Sequence, residues 1–188
     1  VFVALAGEKK HGNLYILDAL NNGAKYIITD KPLKKDLENK NILFVDDTIN
    51  FLFKIATYKR KLFNGKIIGI TGSVGKTSVK ENLNFFLSPS FLISTSIKSY
   101  NNYLGVIISM LNLKLNSKYA IFELGTNNYL EIQNLTSILL PSQVIITNIY
   151  PTHLEKLINT KNIAEEKSDI FNPTYNNNTQ IAILPNEN

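Results

Sequence analysis

The chain has 188 residues, 44% of them hydrophobic, enough for one large or two small soluble domains with cores of their own. Its net charge of +5 comes mostly from scattered cations (Lys31, Lys34, Lys35, Lys59, Arg60, Lys61), which gives nucleic-acid binding little support and is sufficient for a surface facing nucleotide phosphates. The absence of cysteine excludes disulfides, thiolate catalysis and cysteine-type zinc sites, and apolar runs such as Ile138 to Leu140 and Val144 to Ile146 are far shorter than the roughly 20 residues of a membrane span. No signal peptide is visible, so the expected location is the cytoplasm. The chain starts at Val1 inside an apparent strand and stops at Asn188 just after another. We therefore expect it to be part of a longer protein.

Residues 1–64 read as a small α/β unit. Val1 to Leu5 is a strand and Gly7 to Gly12 a polar turn, and Leu14, Leu17, Ala19 and Leu20 give a short helix closed by Asn21, Asn22 and Gly23. Tyr26 to Thr29 is a second strand, broken by Lys31 and Pro32, and Ile42 to Val45 is a third. Asp47 or Thr48 can cap a long helix reaching Phe63, with Ile49, Leu52, Phe53, Ala56 and Leu62 on its inner side. His11 is most simply a turn residue, with a ligand role left open. Asn64 and Gly65 end the helix and mark the expected domain boundary, 1–64 against 65–188.

Lys66 to Thr71 reads as a buried parallel strand, and Gly72, Ser73, Val74, Gly75 and Lys76 then turn tightly into a helix opening at Thr77. This order of strand, Gly-x-x-Gly-Lys-Thr and helix describes a phosphate cradle. Glycines let the backbone approach an anion, successive N–H groups and the helix N-terminus supply positive potential, and a lysine and a hydroxyl stand ready for phosphate and Mg²⁺. The common pattern has a glycine five residues before Gly75, where this chain has Ile70. The match is to the shorter Thr-Gly-x-x-Gly-Lys-Thr. Thr71, Gly72, Ser73, Val74, Gly75, Lys76, Thr77 and Ser78 are the expected nucleotide-binding residues.

Strands and helices alternate from there. Thr77 to Leu87 is helical, Phe91 to Ser94 a strand, Ser96 to Tyr103 a polar loop with Asn101 and Asn102, and Leu104 to Leu113 helical. Tyr119 to Leu124 is a strand, Glu131 to Leu139 a helix, Gln143 to Asn148 a strand, Asn162 to Phe171 a helix and Gln180 to Leu184 the last strand. Such alternation implies a parallel sheet covered on both faces, with ligands at the carboxyl ends of its strands. Lys76, Thr77, Asn101, Asn102, Glu123, Asn148 and His153 would then share one edge. A carboxylate closing the apolar strand Ala120, Ile121, Phe122, Glu123 is costly to bury without a cation. Either Mg²⁺ on a nucleotide, held by Glu123 and Thr77, or a nearby lysine could be that partner.

The runs TGSVGKTSVKE (Thr71 to Glu81), SYNNYLGV (Ser99 to Val106), ELGTNNYLEI (Glu123 to Ile132), ITNIYPTHLE (Ile146 to Glu155) and IAEEKSDIF (Ile163 to Phe171) resemble, in order, those of the Mur ligases of peptidoglycan synthesis. The opening VFVALAGEKKHG is similar to their UDP-sugar-binding domain, and the whole is most like the members that join D-alanyl-D-alanine to UDP-N-acetylmuramoyl-tripeptide. The resemblance implies part of an N-terminal α/β domain over 1–64, part of a P-loop central ATPase domain over 65–188, and a C-terminal domain lying outside the chain. It also implies that ATP activates the substrate carboxylate as an acyl phosphate, which the amine of the dipeptide opens. By position, Lys76 offsets phosphate charge, Thr77 and Glu123 hold one Mg²⁺, and His153 and Lys167 take a second, Lys167 as its carbamate. Carbamylation needs neutral amine, scarce at pH 7 for a lysine pKa of about 10.4, so the site must depress that value. The alternative pairs Lys167 with Asp169 or Glu166 on an exposed helix. Another ATP-dependent amide ligase, such as a different Mur ligase or a folylpolyglutamate synthase, and a non-catalytic nucleotide-binding module remain as alternatives. The 188 residues alone are expected to bind nucleotide weakly without ligating, and no residue discriminates diaminopimelate from lysine in the tripeptide.

Overall fold

The computed structural model describes residues 1–7, 9–32, 41–152 and 154–186, with Leu154 and Glu155 as backbone only. The chain falls into two compact units, Val1–Ile55 and Ala56–Asn188. This division runs inside a helix, ahead of the Asn64–Gly65 turn.

In the first unit, β1 (Phe2–Ala4), β2 (Ile27–Thr29) and β3 (Ile42–Phe44) form a parallel sheet in that order. Ala4, Ile16 and Ile27 make its core, flanked by Phe2, Ala19, Leu20, Ala24 and Ile42. The expected helix face is corrected here. Gly12–Tyr15 winds as a tighter 3-10 turn, so α1 (Ile16–Asn21) starts later, Ile16 is buried, and Leu14 and Leu17 face solvent. Asp47 Oδ1 accepts the Asn50 N–H at 2.6 Å and caps α2 (Thr48–Leu62), whereas Thr48 donates its N–H and hydroxyl to Asp30 Oδ2 at 3.3 and 3.2 Å. His11 Nε2 lies 2.9 Å from Asp30 Oδ1, and its Nδ1 accepts the Asn13 N–H. His11 thus serves the turn that carries it.

The second unit is built on β4 (Lys66–Thr71), β5 (Ile93–Thr95), β6 (Tyr119–Glu123), β7 (Gln143–Ile146) and β8 (Ile181–Ile183), all parallel in the order β5-β6-β4-β7-β8. Val79, Leu83 and Leu87 of α3 (Lys76–Leu87) pack on Ile68, Ile70 and Ile121. Alternation along β4 sends Gly69 to the other face, against Pro141 and Ile170. There α5 (Glu131–Leu139) packs against β4, α4 (Tyr103–Leu111) and α7 (Thr160–Ser168), with the short α6 (Leu154–Leu157) beside α7. The chain leaves β4 toward β5 and β6, then crosses to β7 on its other side. The carboxyl end of β4 is therefore a switch point, where open α/β sheets bind ligands.

Several boundaries move from expectation for local reasons. Phe91 still donates its N–H back to Leu87, so β5 begins at Ile93. Asn102 and Asn159 accept the N–H groups of Gly105 and Asn162, which starts α4 at Tyr103 and α7 at Thr160. Leu62 is exposed, and Phe63 takes the inward place. Arg60 donates from the last turn of α2 to the carbonyls of Leu139 and Leu140, satisfying the C-terminus of α5. Among the described residues no helix is long and apolar enough to cross a membrane.

Candidate active site

The loop after β4 is shaped for an anion. Gly72 has φ +146°, and a Cβ there would meet Thr147 Oγ1 at 1.9 Å, so only glycine lets β4 turn against β7. Gly75 has φ +83° with open space over its Cα. No side chain caps α3, and the first N–H to bond back is that of Val79, to Gly75 O, which leaves the N–H groups of Lys76, Thr77 and Ser78 at an uncapped helix start. The loop is tied to the end of β7: Ser73 and Val74 donate their N–H groups to Asn148 O (3.1 Å) and Asn148 Oδ1 (2.9 Å), and Tyr150 donates its N–H to Ser73 Oγ (2.9 Å). Lys76 Nζ curls back to Gly72 O at 2.7 Å and Ser73 O at 3.4 Å. Those carbonyls hold the ammonium at the loop. Burial lowers the Lys76 pKa, and the charge of Glu123 works against that shift. Thr71 is buried at the end of β4, its hydroxyl without a partner among the described residues.

Glu123 ends β6, paired in register with Ile70 of β4, and has no solvent exposure. Its Oε2 accepts the Thr77 hydroxyl at 3.0 Å and its Oε1 lies 2.9 Å from Lys80 Nζ. Of the two partners left open by the sequence, the lysine is present as Lys80 at Oε1, and the hydroxyl that would share a cation stands at Oε2. Thr77 Oγ1 and Glu123 Oε2 are hard oxygen donors beside the start of α3, the type Mg²⁺ prefers. Among the described residues no three His, Cys, Asp or Glu side chains cluster for a metal, so a cation here would draw the rest of its shell from other oxygens, such as water or phosphate.

A cleft of about 580 Å³ opens beside Lys76, lined also by Asn101, Asn102, Thr126, Asn127 and Glu131. Asn101 packs over Gly125, where a Cβ would meet its side chain at 2.7 Å, and its carbonyl accepts the Gly125 N–H. Asn102 gives its side-chain oxygen to Gly105 N–H as the cap of α4. Glu131 accepts the N–H groups of Asn127 and Asn128 and the Asn128 amide, folding the loop after β6 over the cleft.

Lys167 is buried on α7, and its backbone carbonyl accepts the N–H groups that close the helix. Its pKa is lowered to about 8, first by burial and then by the Lys76 charge, with Glu166 pulling the other way. An exposed pairing with Asp169 or Glu166 is excluded by that burial. Glu166 is itself buried and spends its carboxylate elsewhere, accepting the Thr126 hydroxyl (3.2 Å) and the N–H groups of Leu130 (2.7 Å) and Ile132 (2.8 Å). It thereby caps α5 from α7 and supports Leu130, which sits in the left-handed region at φ +68°. Glu166→Ala should lower stability by about 2 kcal/mol, because three donors lose a buried acceptor. Urea denaturation of the variant against the parent protein checks this.

The model of the Mur ligase middle domain matches residues 70–188. The chain belongs to the Mur ligase family. A UDP-N-acetylmuramoyl-tripeptide–D-alanyl-D-alanine ligase from Rickettsia prowazekii is 41% identical over 184 residues, covering 98% of this chain and 40% of that protein. The crystal structure of MurF from Acinetobacter baumannii matches with a TM-score of 0.85 at 31% identity, over 99% of this chain and 40% of that one. MurF from Thermotoga maritima, solved in complex with ADP, matches with a TM-score of 0.82 at 28% identity, over 97% and 42%. The chain thus spans about 40% of the length of these relatives.

Within this Mur ligase middle domain, Gly72 to Ser78, Lys76, Thr77 and Glu123 meet at one sheet edge, and Asn101 and Asn102 line the cleft next to Lys76. Lys167 reaches the same neighbourhood through its charge interaction with Lys76. His153 lies outside the described residues. Sequence reasoning missed Lys80 and Glu166. Lys80 follows Lys76 by four residues on α3, a spacing that puts both on one helix face and could have drawn it out.

Proposed function

We propose that this Mur ligase chain provides the ATP-handling part of an amide ligase that adds D-alanyl-D-alanine to UDP-N-acetylmuramoyl-tripeptide in peptidoglycan precursor synthesis. The observation that supports it most is the Thr77 hydroxyl against the buried Glu123 carboxylate, beside the uncapped start of α3 and Lys76. The activity for which the Rickettsia prowazekii relative is named and the ADP in the Thermotoga maritima structure point the same way. In this reading the substrate's terminal carboxylate attacks the γ-phosphorus and ADP departs. The dipeptide amine then attacks the acyl carbon, inorganic phosphate leaves, and the amine gives up a proton.

The residues divide the work. Gly72 to Ser78 cradle the phosphates, and Lys76 swings from Gly72 O to the β- and γ-phosphates as charge develops there. Thr77 and Glu123 would hold one Mg²⁺, and His153 with Lys167 as its carbamate would hold a second. Bound Mg²⁺ would offset the repulsion between carboxylate and triphosphate. Asn101 and Asn102 shape the cleft in which the carboxylate approaches Lys76.

An ADP-release assay on the full-length protein tests this proposal. Sustained release is expected only with ATP, UDP-N-acetylmuramoyl-tripeptide and D-alanyl-D-alanine together. Release supported equally by another acceptor amine would transfer the chain to a different amide ligase, and nucleotide binding without release would make it a binding module.

A further inference from the structure

Lys80 is fully buried, with 1% exposure, an unusual position for a cation. Its ammonium faces four oxygens: Glu123 Oε1 at 2.9 Å, Glu81 Oε1 at 3.3 Å, Ser96 O at 3.4 Å and Lys98 O at 2.5 Å. Lys98 has φ +47°, a left-handed turn that brings its carbonyl round to Lys80 on the loop leading to Asn101.

Glu123 therefore has two lysines within its electrostatic reach, Lys76 and Lys80. Glu123 is held by Lys80, while Lys76 bonds to carbonyls of its own loop. A fully buried carboxylate without a counter-charge would turn to the remaining ammonium, consuming both the phosphate lysine and the cation ligand in one ion pair. We infer that Lys80 is a positioning residue for the cation site: by holding Oε1, it keeps Glu123 off Lys76 and presents Oε2 beside the Thr77 hydroxyl. This rests on the proposed Thr77–Glu123 cation site. The positive charge of Lys80 also opposes a nearby divalent ion. That cost is limited because Lys80 contacts the far oxygen of Glu123 and because Glu81, at 3.3 Å, leaves Lys80, Glu81 and Glu123 together one negative charge.

The test is a mutant cycle in the full-length protein with Lys80→Met, Glu123→Gln and both together. Two quantities are read: Mn²⁺ affinity in the presence of ADP, by electron paramagnetic resonance, and the thermal midpoint of the metal-free protein. Lys80→Met is expected to weaken Mn²⁺ binding about tenfold when Glu123 is present, as losing an orienting partner of a metal ligand does. In the Glu123→Gln background, where the amide needs no counter-charge, the same change should alter Mn²⁺ affinity less than about twofold. Metal-free, Lys80→Met should lower the thermal midpoint by roughly 10 °C beside Glu123 and by much less in the Glu123→Gln background. Equal losses of Mn²⁺ affinity in both backgrounds, or unchanged or tighter binding in Lys80→Met, would overturn the role of Lys80. Should Lys80→Met fail to fold, folding of the double variant supports the charge pairing and its failure overturns it. If Glu123→Gln leaves Mn²⁺ affinity unchanged, the proposed cation site itself is wrong and the inference falls with it.

Discussion

Lys76→Ala in the full-length protein is expected to lower ATP-dependent ligation about a thousandfold while leaving the fold intact. Lys76 Nζ rests on Gly72 O at 2.7 Å and Ser73 O at 3.4 Å, weak acceptors compared with phosphate oxygens. In the proposed reaction its charge would move to the transferring phosphoryl group, where removal of one well-placed electrostatic donor typically costs a factor of about 10²–10³. The structural cost is small because the loop keeps its bonds from Ser73 and Val74 to Asn148. Steady-state phosphate release, with circular dichroism as the fold control, checks the prediction. Near-normal turnover would remove Lys76 from the reaction.

Lys167 should separate activity from stability. A value of about 8 makes about a tenth of its amine neutral at pH 7, against less than about a thousandth for an ordinary lysine, so CO₂ uptake becomes feasible there. Carbamylation, followed by ¹³C NMR after addition of labelled bicarbonate, should increase as pH rises from 7 to 9 and be absent in Lys167→Met. Ligation by that variant is expected to fall about a thousandfold. Its stability should move the other way. The unfolded chain binds the proton more tightly, with 10.5 against about 8 in the fold, so stability rises with pH between those values and the penalty stands in full below pH 8. In metal-free, CO₂-depleted buffer at pH 7, Lys167→Met should therefore be more stable by up to about 3 kcal/mol, a gain that fades toward pH 10.5. Urea titrations at the two pH values measure it. A variant less stable at pH 7 would contradict the burial argument.

Much of this architecture is legible in the residues. Lys66 to Thr71 is a strand in both readings because a β-branched run stops at Gly72, and Glu131–Leu139 has the expected bounds because Leu140 and Pro141 end it. The meeting of Thr77 with Glu123 follows from one rule, that parallel strands deliver their following residues to a common edge. What was hidden depends on contacts between distant segments. In the run Ser78, Val79, Lys80, Glu81, a lysine beside a glutamate reads as a solvated pair, and only the packing of α3 over β6 turns Lys80 inward to Glu123. Glu166 reads as one of several charges on a polar helix, yet it caps a helix that starts 35 positions earlier, at Glu131. Leu14 and Leu17 misled because a 3-10 turn shifts the phase of α1, which periodicity alone does not reveal.

The proposed function depends on one cation being gripped between α3 and the end of β6. The most direct measurement is anomalous diffraction from crystals of the full-length protein grown with Mn²⁺ and a non-hydrolysable ATP analogue. A Mn²⁺ peak is expected within coordination distance of both Thr77 Oγ1 and Glu123 Oε2, with Lys76 Nζ moved from Gly72 O onto the phosphates. A nucleotide bound with its Mn²⁺ away from Glu123, and Lys76 still on the loop carbonyls, would contradict it.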